Sequence, residues 1–249
     1  MSVDRAAVLL TTLLEGEGPS TLAELADSAD LPKSTASRIL SSLEQHGLVH
    51  QAGRRGSFEP GPAIMRFAHR GAAERNLVEL AEPSMQALSE ESGETVNLAV
   101  PSAYGVEHLA QVDARHFLGT GQWIGRRVDY HSSANGKIFL AFGAAELPAG
   151  RLARLTPHTV VDREQLEAEL EQVREQEFAT AVDELEVGLS AMAAPVRGPT
   201  GDVIAALTLS GPTMRLTPPQ IAGLRPVLTN EARLLSRRLG KTKKEDRSA

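Results

Sequence analysis

Residues 21–61 constrain the fold of this chain more than any other stretch. Thr21 and Glu24 have the spacing of a capping box, in which a hydroxyl and a carboxylate satisfy the free amides of a first helical turn. Leu22, Leu25, Ala26 and Ala29 then recur at helical spacing, giving a short helix one apolar stripe. The next segment, LPKSTASRILSSLEQHGLV (31–49), repeats the stripe with Ala36, Ile39, Leu40 and Leu43. Pro32 suits its first turn, where a missing donor costs nothing, and Gly47 suits the left-handed position past its end. LVHQA, GRRG and SFEPG follow as strand, tight turn and strand. A further helix, AAVLLTTLL (6–14), precedes them and ends at EGEGPS.

Three helices and a hairpin in this order predict a winged helix-turn-helix. Stepping about 100° per residue from Ala36 turns Ser34, Arg38, Ser41 and Gln45 away from the apolar stripe, with Ser37 beside them. That outer face holds no carboxylate, since Glu44 falls toward the flank. Residues 1–30 set Arg5 against Asp4, Glu15, Glu17, Glu24, Asp27 and Asp30, whereas 31–58 set Lys33, Arg38, Arg54 and Arg55 against Glu44. Short hydroxyls and amides with one Arg are the groups that read base edges in a major groove. Lys and Arg at the margins hold phosphates. Lys33, Ser34, Thr35, Ser37, Arg38, Ser41, Arg54 and Arg55 are therefore the expected contacts to double-stranded DNA. A solvated Ser-rich face is the plain alternative, and the basic hairpin tip weighs against it.

Beyond Pro60 the alternation is lost until a helical pattern resumes over about 76–91, a linker helix expected to kink near Pro83. TVNLAV and VEHLAQV read as strands flanking PSAYG. Residues 132–142 read as a helix, and 162–176 as another, with Asp162 and Gln165 at capping spacing. FATAVDE, LSAMAAPV and DVIAALTLSG are three apolar strands. A last helix is expected from Thr217 to about Leu239, followed by a mixed-charge tail. Hairpins interrupted by helices predict an antiparallel sheet with helices packed on it.

Composition narrows the function. A formal net charge of -6 excludes indiscriminate coating of nucleic acid or anionic membrane, so a polyanion site must be local. The absence of cysteine removes thiol nucleophiles, disulfides and thiolate metal sites. No apolar run approaches the ~20 residues of a membrane span, and the cytoplasm is the expected location. An enzyme would have to start from His131, Ser132, Ser133, Asp183 and Glu184, with nothing in the sequence to orient a base. Glu107 and His108, adjacent on a strand, point to opposite faces and make no metal pair. No catalytic residues, metal or cofactor are expected.

SVDRAAVLL, LAELADSADLPKSTASRILSSLEQHGLV, GETVNLAV, HSSANGK and GLSAMAAPVRGPTGDVIAALTLSGP together resemble the IclR-type bacterial transcriptional regulators over nearly the whole chain. The resemblance implies a second domain similar to the GAF fold. In it, 131–137 and the strand pair 189–210 form the mouth of an effector pocket. On that alignment Val128, Ala134, Asn135, Ala191, Thr208 and Ser210 fall on pocket-lining positions. The chain departs from the family at Ala191, where a Cys is common, and at Ala181 and Val182, where an acidic pair is common. A compact, partly apolar effector is expected, a carboxylate being one group the helix start could take. Trp123 is either a lid or core.

The expected architecture is α+β. A winged helix-turn-helix domain spans 1–62, a linker helix region 63–92, an effector-binding domain of antiparallel sheet and helices 93–240, and a disordered tail 241–249. Its partners would be promoter DNA, a small-molecule effector and a second copy of itself, as a dimer or dimer of dimers. A regulator whose second domain serves only assembly is the alternative.

Overall fold

The computed structural model describes residues 2–16, 18–52 and 56–245, without the side chains of 69, 70, 72 and 241–245. It divides into two compact units, 1–75 and 76–249.

In the first unit α1 (Ser2–Glu15), β1 (Ser20–Thr21), α2 (Leu22–Ser28), α3 (Lys33–Gln45), β2 (Val49–Ala52) and β3 (Ser57–Pro60) follow in order. Both halves of the capping box form: the Thr21 amide donates to Glu24 Oε2 at 2.7 Å, and the Glu24 amide to Thr21 Oγ1 at 3.3 Å. The Thr21 amide and hydroxyl, both donating to Glu24 Oε2, hold the Glu24 carboxyl below its ordinary pKa. Pro32 is the residue before α3 rather than its first, and its carbonyl accepts the Thr35 and Ala36 amides. Gly47 takes φ +69 and lets the Leu48 amide return to the Leu43 carbonyl at 3.0 Å. Leu9, Leu13, Leu25, Ala26, Ala36 and Leu40 pack with Val49 and Phe58 into a small aliphatic core. β1, too short for any alternation to show, pairs with β3 to make a sheet of order β1-β3-β2.

One helix, α4 (Pro62–Ser92), runs across the boundary between the units. It starts well before the expected residue 76. Its first half has no single apolar stripe, Met65 and Phe67 both being exposed, so periodicity carried no signal there. In the second unit β4 (Thr95–Ser102), β5 (Gly105–Val112), β6 (Arg127–Val128), β7 (Ala179–Val182), β8 (Leu189–Arg197) and β9 (Val203–Pro212) form an antiparallel sheet of order β6-β5-β4-β9-β8-β7. α5 (Ala134–Ala141) and α6 (Arg163–Gln176) precede β7, and α7 (Pro218–Glu245) closes the chain. α7 runs on to Glu245 instead of ending near Leu239, so the start of the expected disordered tail is helical; 246–249 lie outside the described residues.

The sheet is buried on both faces. Leu98, Met192, Ala194, Leu207 and Leu209 meet Leu88 of α4 and Leu228 and Leu235 of α7 on one side. Ala99, Ala193 and Ala206 meet Ile138 and Phe139 of α5 and Leu166 and Leu170 of α6 on the other. Period-2 alternation therefore sends Asn97, Thr208, Ser210 and Ala191 to the α5 side.

Candidate functional site

On α3, Lys33, Ser34, Arg38, Ser41 and Gln45 are exposed, and Thr35 and Ser37 half-buried, so the outer face is the one the sequence indicates. Glu44, the one carboxylate of the helix, accepts the Gln51 amide of β2 at 3.0 Å. Its charge is thereby turned toward the hairpin. Arg38 and Thr35 border a groove whose other wall is α1, where Arg5 and Ser2 stand. Arg5, which the sequence sets among carboxylates, thus lines the same groove as Arg38. Arg54 and Arg55, the expected phosphate contacts at the hairpin tip, lie outside the described residues.

In the second unit Val128, Ala134, Asn135, Ala191, Thr208 and Ser210 all border a single pocket that opens to solvent at its mouth. The sheet forms its floor and the start of α5 its roof. Ser133 caps α5, accepting the Gly136 amide at 3.3 Å and donating to the Asp129 carbonyl at 2.9 Å. Gly136 has no substitute here, because a Cβ would run into the Tyr130 backbone carbonyl. The close approach of helix to loop fixes the roof.

The structure adds Asn97, His108, Trp123, Leu185 and Leu189 to the lining. Trp123, 8% exposed, donates from Nε1 to Thr120 Oγ1 at 3.0 Å, and its ring centroid lies 5.9 Å from that of His108. It is a fixed wall of the pocket. The missed Asn97 had one legible signal, an amide inside the apolar run VNLAV, whereas His108 had none, since Glu107 and Gln111 make its strand polar in sequence. Asn97 Oδ1, His108 Nδ1 and Thr208 Oγ1 are buried without a hydrogen-bond partner. Such atoms cost about 1–3 kcal/mol each, which makes the pocket a place where a polar ligand gains. Burial pushes the His108 imidazole down to about 4, so the ring is neutral at ordinary pH.

The residues from which an enzyme would have to start have other work. His131 Nε2 lies 2.8 Å from the Ala153 carbonyl, and Ser132 and Ser133 donate to the Asp129 carbonyl. Asp183 Oδ1 accepts from the Gly188 amide at 2.7 Å and from Thr213 Oγ1 at 2.8 Å. These bonds clamp the β7–β8 turn that carries Leu185 and hold the Asp183 carboxyl below its ordinary pKa. Glu184 pairs with Lys137 of α5. Among the described residues no cluster of three metal-ligating side chains occurs, and no helix is long and apolar enough to cross a membrane.

Comparison with known proteins accounts for both units. Residues 2–53 match the IclR helix-turn-helix domain and residues 69–237 the bacterial transcriptional regulator IclR C-terminal domain. The chain is 33% identical to the transcriptional repressor IclR of Escherichia coli K12 over 223 residues, 87% of this chain and 81% of that one. It is 30% identical to the HTH-type transcriptional repressor AllR of the same strain over 245 residues, 96% and 90%. A solved IclR homolog from Microbacterium hydrocarbonoxydans, complexed with 4-hydroxybenzoate, superposes with a TM-score of 0.59 at 24% identity, covering 96% of this chain and 99% of its own. Its likeness is one of fold. With a helix-turn-helix DNA-binding domain ahead of an IclR C-terminal domain, this chain belongs to the IclR family of bacterial transcriptional regulators.

Proposed function

We propose that the protein represses transcription from a promoter that it reads through the outer face of α3, and that a small molecule held in the β4–β9 pocket alters that binding. The observation that carries the ligand reading is the set of buried polar atoms without partners in the pocket. The protein acts as a dimer or dimer of dimers, so its operator carries symmetric half-sites. Ligand and operator are coupled reciprocally: an effector that weakens operator binding binds less tightly to the DNA complex by the same factor. That a protein with this fold has been solved in complex with 4-hydroxybenzoate supports a small-molecule ligand.

Ala191→Trp fills the pocket. Operator affinity, measured by fluorescence anisotropy, should stay near wild type while its response to the effector disappears. A response that survives the substitution removes the pocket from the mechanism. If a broad metabolite screen leaves operator affinity unchanged throughout, the second unit serves assembly alone.

Arg38→Ala is expected to cost about 1–3 kcal/mol on the operator and to relax the preference at one base pair. An equal loss on operator and random DNA would make Arg38 a phosphate contact only. Arg54→Ala and Arg55→Ala should instead weaken both DNAs together and reduce the salt slope by about one each. An unchanged slope in both variants removes the hairpin tip from the interface.

A further inference from the structure

We infer that the pocket takes an uncharged ligand with a hydroxyl head and an apolar body, an alcohol or phenol, the hydroxyl being held by His108, Asn97 and Thr208. The inference rests on the reading of this cavity as the effector site and specifies its chemistry.

The cavity lining carries no Lys, Arg, Asp or Glu among the described residues. Lys137, on the roof helix, is fully buried and already committed: its Nζ donates to Glu169 Oε1 and Glu184 Oε1, each at 2.6 Å, and to the Thr180 carbonyl at 3.2 Å. A carboxylate entering the pocket would lose its water and meet no full positive charge, only neutral donors and the partial charge of the α5 start.

Asn135 sets the character of His108. Its Oδ1 accepts the Gly136 amide at 3.0 Å, which turns its NH₂ group toward His108 Nε2, 3.2 Å away. Nε2 therefore accepts, and the neutral ring carries its proton on Nδ1. A charged ring would oppose two N–H donors across that contact. The position of the ring in the fold and its low pKa agree.

Among the described residues that line the pocket, three buried atoms lack a partner: His108 Nδ1, a donor, Thr208 Oγ1, which donates and accepts, and Asn97 Oδ1, an acceptor. A hydroxyl accepts two hydrogen bonds and donates one, which is the complement of that set. A carbonyl leaves Asn97 Oδ1 unmet, and an ammonium leaves the His108 donor unmet. Asn97 and Thr208 are register partners on β4 and β9, and His108 stands on β5, on the other side of β4. The far side, β7, β8 and their turn, offers Ala181, Ala191, Leu185 and Leu189. Polar and apolar halves are separated along the sheet, as a head and body require.

The test is calorimetry on the full-length protein with three probes: 4-methylphenol, toluene, which lacks the hydroxyl, and 4-methylbenzoate, which bears a charge in its place. 4-Methylphenol should bind at least about tenfold more tightly than either of the others. Its affinity should be flat from about pH 6 to about pH 8, because neither His108 nor the phenol titrates there. Thr208→Val and His108→Phe should each weaken 4-methylphenol about tenfold and leave toluene unchanged, the isosteric Thr208→Val guarding against loss of folding in the other. Tighter binding of 4-methylbenzoate, or 4-methylphenol binding indifferent to Thr208→Val, overturns the hydroxyl assignment. If none of the probes binds and a different effector is abolished by Ala191→Trp, the assignment falls and the pocket stands. An effector indifferent to Ala191→Trp takes the pocket reading down as well.

Discussion

Lys137→Met is expected to destabilise the second unit by about 3–5 kcal/mol at neutral pH, the usual consequence of removing one partner from a buried ion pair. The Lys137 side chain has no exposed surface, and Glu184 beside it is nearly as buried. Without the ammonium, Glu184 would keep a carboxylate in a place where its Oε2 already lacks a partner. Burial already raises the Glu184 pKa, the Lys137 charge opposing it. In the variant that pKa rises further. A folded-state carboxyl above its unfolded value favours folding at low pH and loses that contribution as pH rises through the folded value. The variant should therefore recover part of its deficit on acidification. Adding Glu184→Gln should restore stability beyond the sum of the single effects. In a thermal melt the single substitution corresponds to a drop on the order of 10 °C; a melting temperature within a degree or so of wild type would falsify the account.

The second large effect is acid sensitivity traceable to His108. Its folded pKa of about 4 lies below the ordinary 6.5. As pH falls through the unfolded value, the unfolded chain takes up a proton that the folded chain refuses until about 4. Stability is lost across that window, on the order of 3 kcal/mol in all. His108→Phe should remove this contribution while keeping a ring beside Trp123. Urea melts at about pH 7 and about pH 5 should show a smaller acid loss for the variant than for wild type. Equal losses would mean that His108 is as easily protonated in the folded protein as in the unfolded chain.

Both effects come from groups whose chemistry is invisible in sequence. Nothing local in the sequence pairs Lys137 with Glu169 and Glu184, 32 and 47 residues away, until α6 and the β7–β8 turn bring them against it. His108 reads as one member of a rejected metal pair until Asn135 sets its tautomer. In contrast, the stripe of Ala36 and Leu40, the Thr21–Glu24 box and Gly47 were legible because caps and helical faces depend on neighbours within one or two turns. α4 was half missed for the same reason, since a helix with Met65 and Phe67 exposed writes no periodic pattern.

The sequence by itself determined the helices and hairpin of the first unit, the carboxylate-free face of α3, the family, and the six positions that border the pocket. Those depend on local spacing or on motifs shared along the chain. Only the tertiary structure decided what the pocket can hold. Its chemistry depends on strands β4, β5 and β9 meeting in one register, which leaves Asn97 Oδ1, His108 Nδ1 and Thr208 Oγ1 buried without partners while Lys137 is neutralised by Glu169 and Glu184. Charge and hydrogen-bonding capacity inside a protein are properties of what has been desolvated against what, and burial is settled by packing between distant segments.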